Sequence, residues 1–125
     1  MTGVQEFTVT KEHAIDFADD QMPAVLCTPW LIWFLEHAAR AAVLPLLEHG
    51  ESTVGASIAV EHLAPTPLGK KVTCRARAIF VEGALVTFQL EAHDDAGQIA
   101  RGTHKLRIIQ KDRFARRVRQ KNLPK

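Results

Sequence analysis

One apolar stretch, residues 27–50, constrains the fold more than any other part of this chain. It reads CTPWLIWFLEHAARAAVLPLLEHG. Thr28 followed by Pro29 is typical of a helix start, because a threonine side chain can cap a free N–H and a proline at the first helical position loses no useful donor. Apolar residues would fall on every side of this helix, so the pattern predicts a long helix that is buried on most sides. Pro45 should kink or end its last turn.

Three polar residues interrupt this apolar helix. Glu36 lies in its middle, with His37 beside it and Arg40 one turn later. On an exposed helix, Glu36 and Arg40 would form an ordinary salt bridge four residues apart. In apolar surroundings, however, a carboxylate is costly unless something pairs with it or uses it. This second argument favours a functional role for Glu36.

After Gly50 the apolar period changes to two and predicts strands. The predicted strands cover residues 52–63, 71–81, 85–93 and 98–110, with a short first strand over 4–9 and a short basic helix over 111–121. The expected order is one strand, the helix, and then a four-stranded antiparallel meander with one apolar face. On the strand after the helix, the predicted apolar face consists of Val54, Ala56, Ile58, Val60 and His62. Phe80 is predicted to face the core from the next strand, and Phe114 and Val118 to share one face of the basic helix.

A sheet with one apolar face must be covered, and the long helix is the element available to cover it. The predicted fold is therefore α+β, a hotdog fold in which an antiparallel sheet wraps around one long central helix. With 125 residues, 46% of them hydrophobic, the chain has room for a single domain over 1–125, ending in a basic tail over 111–125. A helix that is apolar all round needs a further neighbour, so we expect a homodimer or a dimer of dimers.

Several other classes of protein are not favoured. The longest uncharged run, 21–35, is too short to span a bilayer, and the first residues do not form a signal peptide, so a cytoplasmic protein without a membrane partner is expected. The cysteines and histidines show no metal-ligand spacing, and we predict no metal and no cofactor. The net charge is only +2, and few aromatic residues accompany the arginines, so nucleic acid is not the expected partner.

Three residues combine into a catalytic hypothesis. Eight residues separate Thr28 from Glu36, which places them roughly 80° apart around a helix, so both can border one cavity without touching. His62 ends the sheet face toward the helix and can bridge them, sharing a proton with Glu36. Simpler explanations exist for each residue alone: a helix cap for Thr28, a strand-end core histidine for His62, and a bulge or close helix approach for Gly55.

Three segments of the chain carry a family resemblance. CTPWLIWFLEHAAR, VGASIAVEHLAPTPLG, and AHDDAGQIARGTHKLRI with FARRVRQK resemble the fluoroacetyl-CoA thioesterase family of hotdog enzymes, over about residues 24–121. The resemblance implies a catalytic group formed by Thr28, Glu36 and His62. It also implies that the backbone N–H of Gly55 helps to hold the thioester carbonyl.

The implied function is hydrolysis of an acyl-CoA thioester to the free acid and coenzyme A, at a dimer interface. Glu36 would attack the carbonyl or activate a water, His62 would protonate the departing thiolate, and Thr28 would orient Glu36 or the substrate. Family members that act on fluoroacetyl-CoA carry an arginine where this chain has Leu106, which favours another short or small acyl group. The alternative is a hotdog module that binds acyl-CoA without catalysis.

Overall fold

The computed structural model describes residues 1–124 and contains every element that the sequence predicts. An antiparallel five-stranded sheet curls around one long helix, as expected. The strands are β1 (Thr2–Thr8), β2 (Glu51–His62), β3 (Lys71–Glu82), β4 (Leu85–Asp94) and β5 (Gly97–Gln110). The helices are α1 (Thr28–Val43) and α2 (Lys111–Lys121), with short 3-10 turns at Lys11–His13 and Leu44–Leu46.

The long helix begins and ends where its local sequence changes. Cys27 is the N-cap residue, Thr28 is already helical, and no side chain caps this end. The prediction that Thr28 is the cap is therefore wrong, and its hydroxyl is free to bond elsewhere. At the other end the helix stops at Val43, and Pro45 lies in the 3-10 turn that follows, because proline cannot donate to a helical carbonyl.

The strand order is β1-β3-β4-β5-β2, so the predicted four-stranded meander is wrong. Only β3, β4 and β5 follow one another, and β2 pairs with β5 at the far edge. The reason is the segment after β2, which is a crossing and not a hairpin. It begins beside β5, where the Leu63 N–H donates to the Ile99 carbonyl at 2.7 Å, and ends beside β1, where the Val9 N–H donates to the Lys70 carbonyl at 2.9 Å.

A bulge in β2 changes which of its residues face the helix. Gly55 pairs with Leu106 but Ser57 pairs with Lys105, so Ala56 is one residue too many. An extra residue reverses the alternation of side chains along a strand. Gly55 therefore shares the helix-facing side with the later Ile58, while Val54 and Ala56 do not share it, contrary to prediction.

A second bulge, at Ile79 of β3, has the same effect. Ala78 pairs with Phe88, whereas Phe80 pairs with Thr87, so the register shifts by one residue between them. Phe80 is 58% exposed and does not enter the core as predicted. The prediction of strand faces from alternating apolar residues fails at both bulges. The sequence pattern does not show where a strand carries an extra, unpaired residue.

The core lies between α1 and the concave face of the sheet, and α1 packs mainly against β1 and β3. Gly3 of β1 makes this possible, because a Cβ at this position would overlap the backbone oxygen of Ala38 and approach the Ala42 nitrogen to 2.7 Å. The chain does not cover one stripe of α1: Trp33 is 44% exposed, and Glu36 and Arg40 are half-buried. Burial on most sides is therefore not achieved within one copy.

The basic helix α2 forms with the predicted bounds and lies over the outer face of the sheet. Phe114 and Val118 share one side of it, as predicted, and with Val54 they line a cavity of about 770 Å³. This is larger than the cavities near the candidate site, but none of the predicted catalytic residues lines it. Neither α1 nor α2 is long and apolar enough to cross a membrane, and the same holds for every helix within residues 1–124.

Candidate active site

A hydrogen bond joins two of the predicted catalytic residues. Thr28 Oγ1 lies 2.8 Å from His62 Nδ1, which connects the first residue of α1 to the last residue of β2. The pair lines a cavity of about 320 Å³ together with Cys27 and Ala64. Since Thr28 is not occupied in capping the helix, its hydroxyl is available to orient the imidazole.

The two nitrogens of His62 have different surroundings. Nδ1 meets Thr28, whereas Nε2 is buried and has no hydrogen-bond partner within residues 1–124. Burial lowers the pKa of His62 below its usual 6.5. The Ala64 backbone raises this pKa, but by less than burial lowers it. The imidazole is therefore neutral near pH 7. A buried polar atom without a partner is costly, and such atoms concentrate where a ligand will meet them.

Glu36 lies at a second cavity, about 110 Å³ in volume, in the middle of α1. The bulge in β2 places Gly55 directly opposite it, because a Cβ at Gly55 would lie 3.1 Å from Glu36 Oε2. The absence of a side chain thus leaves the carboxylate room beside the strand. Both sequence explanations for Gly55, a bulge and a close helix approach, hold at once.

Arg40 lines the same cavity but does not pair with Glu36. Its Nη1 donates to Thr53 Oγ1 at 2.7 Å, and no salt bridge joins it to Glu36 among the ion pairs of the described residues. The expected alternative, a helical Glu36–Arg40 pair, is therefore wrong. Thr53 accepts the hydrogen bond from the Arg40 guanidinium because the β2 bulge places the Thr53 side chain on the face toward the helix.

His104 is the functional candidate that the sequence analysis missed. It is 2% exposed and lines the Glu36 cavity, with its Cε1 3.6 Å from where a Gly55 Cβ would lie. Its Nδ1 lies 2.9 Å from the Ser57 carbonyl oxygen, which can only accept. The sequence contains a signal, since the alternation over 98–110 places His104 on the same face as Ala100, Leu106 and Ile108. It gave no means of telling a core histidine from a reactive one.

The structure separates the predicted catalytic residues into two groups. Thr28 and His62 share one cavity, while Glu36 and Gly55 share another. Within residues 1–124 of a single copy, His62 does not line the cavity beside Glu36. The expectation that Thr28, Glu36 and His62 border one cavity is thus not met inside one subunit.

Comparison with known proteins shows a family match over most of the chain. The family model described as fluoroacetyl-CoA-specific thioesterase matches residues 9–112, which include all four predicted site residues. The fluoroacetyl-CoA thioesterase of Streptantibioticus cattleyicolor is 38% identical over 101 residues, covering 81% of this chain and 73% of that protein.

Solved structures agree with this match along almost the whole chain. The fluoroacetyl-CoA thioesterase FlK superposes with a TM-score of 0.88 at 32% identity, covering 99% of this chain and 96% of that one. A hypothetical protein of Thermus thermophilus, a thioesterase superfamily member, gives a TM-score of 0.89 at 30% identity, covering 98% and 90%. A hot-dog-like protein of Thermanaerovibrio acidaminovorans, 22% identical with a TM-score of 0.91 over 100% and 93%, shows the shared fold alone.

The fold predicted from the sequence, an α+β hotdog, is therefore confirmed. The matched region contains both cavities and the strands and helix that form them. Sequence match, structural match and fold agree, and the chain belongs to the fluoroacetyl-CoA-specific thioesterase family of hotdog enzymes.

Proposed function

We propose that the protein hydrolyses a short acyl-CoA thioester to the free acid and coenzyme A, at a site assembled from two copies of the chain. Membership of a thioesterase family supports the reaction. A relative of this fold, a variant of FlK, is described in complex with fluoroacetate and CoA, which are the two products of such a hydrolysis. The proposed reaction consumes only water and needs no cofactor or metal.

The observation that carries the proposal is the Thr28–His62 pair. In this proposal, Nδ1 of the neutral ring accepts a hydrogen bond from the Thr28 hydroxyl. The single hydrogen of the imidazole is then on Nε2. That Nε2 is buried, unpartnered, and beside a cavity of about 320 Å³. A donor held in this way can hydrogen-bond to a thioester sulfur and stabilise the negative charge that develops on it as the carbon–sulfur bond breaks.

The second half of the site, Glu36 and Gly55, is supplied in this proposal by a partner copy. Strand β2 is an edge strand of 12 residues, and among residues 1–124 it pairs on one side only, with β5. Unpaired edges of this length are covered or paired in stable proteins. If two copies pair their β2 strands antiparallel about a two-fold axis, the end of one strand lies beside the beginning of the other. His62 ends β2 and Thr53 is near its start, so the two cavities come together.

Charge development explains the roles of the second half. Glu36 of the partner subunit attacks the thioester carbonyl carbon, or activates a water that does so. The backbone N–H of the partner's Gly55 stabilises the charge that grows on the carbonyl oxygen, a contact whose loss typically costs about a hundredfold or more in rate. The bulge and the missing side chain at Gly55 leave the carbonyl room to approach this N–H.

The Glu36 cavity favours a short acyl group. Its volume is about 110 Å³, about a third of the 320 Å³ cavity beside Thr28 and His62. One wall is the buried Leu106, and the neighbouring Arg107 lies on the opposite face, at the cavity under α2. An apolar wall suits a small alkyl group better than a polarised fluorinated carbon.

Steady-state hydrolysis of a panel of acyl-CoA esters tests the proposal. The panel runs from acetyl and fluoroacetyl to butyryl, aryl and long-chain esters, followed by the thioester absorbance. We expect short esters to turn over fastest, and Glu36→Gln and His62→Asn each to lower kcat about a hundredfold or more without loss of fold. His93→Asn, at an exposed histidine on β4, is the matched control and should keep full activity.

The same experiment addresses the non-catalytic alternative. A chain that binds an ester tightly but hydrolyses none of the panel is an acyl-CoA-binding hotdog module, and the enzyme proposal fails. Full activity in both Glu36→Gln and His62→Asn would instead refute the assigned residues while keeping the reaction.

A further inference from the structure

We infer that His104 is a second catalytic histidine, the base that takes the proton from the water that releases the acyl group from Glu36. This inference rests on the proposed thioesterase function and deepens it. It commits to Glu36 as the nucleophile, and it gives the two histidines separate steps of the reaction. Within one copy the two histidines line different cavities, so in the assembled site His104 comes from the same subunit as Glu36 and His62 from the other.

The hydrogen bond of His104 determines which nitrogen is reactive. Its Nδ1 lies 2.9 Å from the Ser57 carbonyl oxygen, which carries no proton, so Nδ1 must carry the ring hydrogen. In a neutral imidazole, Nε2 is then a lone-pair acceptor. The carbonyl of Ser57 is available in this direction because Ser57 directly follows the Ala56 bulge in β2. The local strand irregularity thus fixes the tautomer.

The position of His104 places its ring beside Glu36, the residue that carries the acyl group in this proposal. Its ring and the Glu36 carboxylate meet at Gly55, since a Cβ there would lie 3.6 Å from His104 Cε1 and 3.1 Å from Glu36 Oε2. His104 is 2% exposed, yet it borders a cavity large enough for water. A cavity of this size, bordered by both groups, can hold the water that the second step consumes.

Three other charged or titratable groups line this cavity, and all three belong to α1: Glu36, His37 and Arg40. Arg40 donates to Thr53, and a guanidinium is not a base. His37 Nδ1 also lies beside a carbonyl oxygen, that of Trp33, but its ring is half-buried and stacks on the Trp33 indole, whereas His104 is 2% exposed. The register partners of His104 are apolar, Phe88 on β4 and Ile58 on β2. His104 is therefore the base that the β-sheet side of the cavity supplies.

In the first of two steps, a Glu36 oxygen bonds to the acyl carbon and the carbon–sulfur bond breaks. The sulfur leaves as a thiolate that accepts a hydrogen bond from His62 Nε2–H and then takes a proton from solvent. In the second, a water oxygen bonds to the acyl carbon of the resulting anhydride and its proton passes to His104 Nε2. The bond between the acyl carbon and Glu36 breaks, which restores the carboxylate and frees the acid. His62 keeps its proton throughout, and solvent removes the one that His104 has taken up.

The variant His104→Asn separates chemistry from structure. An asparagine amide N–H occupies the position of the ring Nδ1–H and keeps the bond to Ser57, but nothing replaces Nε2. On an ester that the wild type hydrolyses, we expect one equivalent of coenzyme A per subunit to be released rapidly. The turnover that follows should run at about one hundredth of the wild-type rate or below it. The acid-quenched protein should carry the mass of the acyl group, and hydroxylamine should restore release. His93→Asn should show none of these effects.

Each other outcome contradicts the inference. Turnover of His104→Asn within a few-fold of wild type makes His104 structural, and slow turnover without a burst or an acylated protein places the defect before acyl transfer. Should His104→Asn not fold, His104→Gln, which fills more of the ring volume, takes its place with the same expectations. If the wild type itself hydrolyses no ester of the panel, the proposed function fails before His104 is tested.

Discussion

At the scale of single residues, the surroundings of His62 make the protein sensitive to pH. Burial lowers its pKa below 6.5, so the folded chain takes up this proton less readily than the unfolded chain. Above pH 6.5 the ring is neutral in both states and has no effect. As the pH falls from 6.5 to the lowered folded pKa, the unfolded state gains a proton first, and the free energy of unfolding decreases.

This linkage predicts a difference between the wild type and His62→Asn. Between pH 7 and pH 5 the wild type should lose more stability than the variant, because the variant has no proton to gain at this position. Urea unfolding at several pH values measures both slopes. His93→Asn, at an exposed histidine, should follow the wild type. Equal slopes for the wild type and His62→Asn would show that the imidazole is not desolvated in the folded protein.

The sequence identified Thr28, Glu36, His62 and Gly55 as candidates, but it could not supply their contacts. The Thr28–His62 bond depends on where the helix begins, and a shift of one residue in the cap freed the hydroxyl. The Arg40–Thr53 bond and the position of His104 depend on the β2 bulge. Contacts between residues far apart in the chain follow from register, and a period-two pattern does not record register shifts.

At the scale of elements, the contact between β1 and α1 depends on Gly3. A Cβ there would overlap the Ala38 backbone and lie 2.7 Å from the Ala42 nitrogen, and helix backbone cannot rotate away as a side chain can. We expect Gly3→Ala to destabilise the fold by about 1–3 kcal/mol, the usual cost of overpacking. Thermal unfolding measures this, with Thr2→Ala at the exposed neighbouring position as control. An unchanged Tm for Gly3→Ala would mean that β1 can move away from α1 freely.

The order of elements was predictable and the topology was not. Apolar periodicity identified each strand and both helices to within a few residues, because burial against a core imposes that periodicity. Whether β2 pairs with β3 or with β5 depends on the path of the segment between them. Its turn residues, rich in proline and glycine, permit either a hairpin or a crossing. The hydrogen bonds from the Leu63 N–H to the Ile99 carbonyl and from the Val9 N–H to the Lys70 carbonyl show that it is a crossing.

At the scale of the whole molecule, the separation of the two half-sites predicts how inactive variants behave together. In the proposed dimer, each site takes Glu36 from one copy and His62 from the other. A mixed dimer of Glu36→Gln and His62→Asn then holds one intact site and one doubly altered site. We expect equal amounts of the two variants, unfolded and refolded together, to recover about a quarter of wild-type activity, since half the dimers are mixed in a symmetric two-fold assembly.

Each variant refolded alone is the control and should stay inactive. Size measurement in solution should give twice the 13.9 kDa of one chain for all of these samples. Mixed samples that form dimers yet recover no activity would show that Glu36 and His62 of one site belong to the same copy. Monomers that keep wild-type activity would remove the need for a partner altogether.

The bulge at Ala56 has a consequence in genetic terms. Losing that single codon in frame would leave 124 residues unchanged and would keep every candidate catalytic side chain. The register partners would also stay the same, because Gly55 would still lie opposite Leu106 and Ser57 opposite Lys105, so Gly55 and Thr53 would keep the side that faces Glu36. Two genes that differ by this one triplet would therefore encode hotdog domains with the same faces of β2, and the shorter one would lack only the local bend and added twist of a bulge.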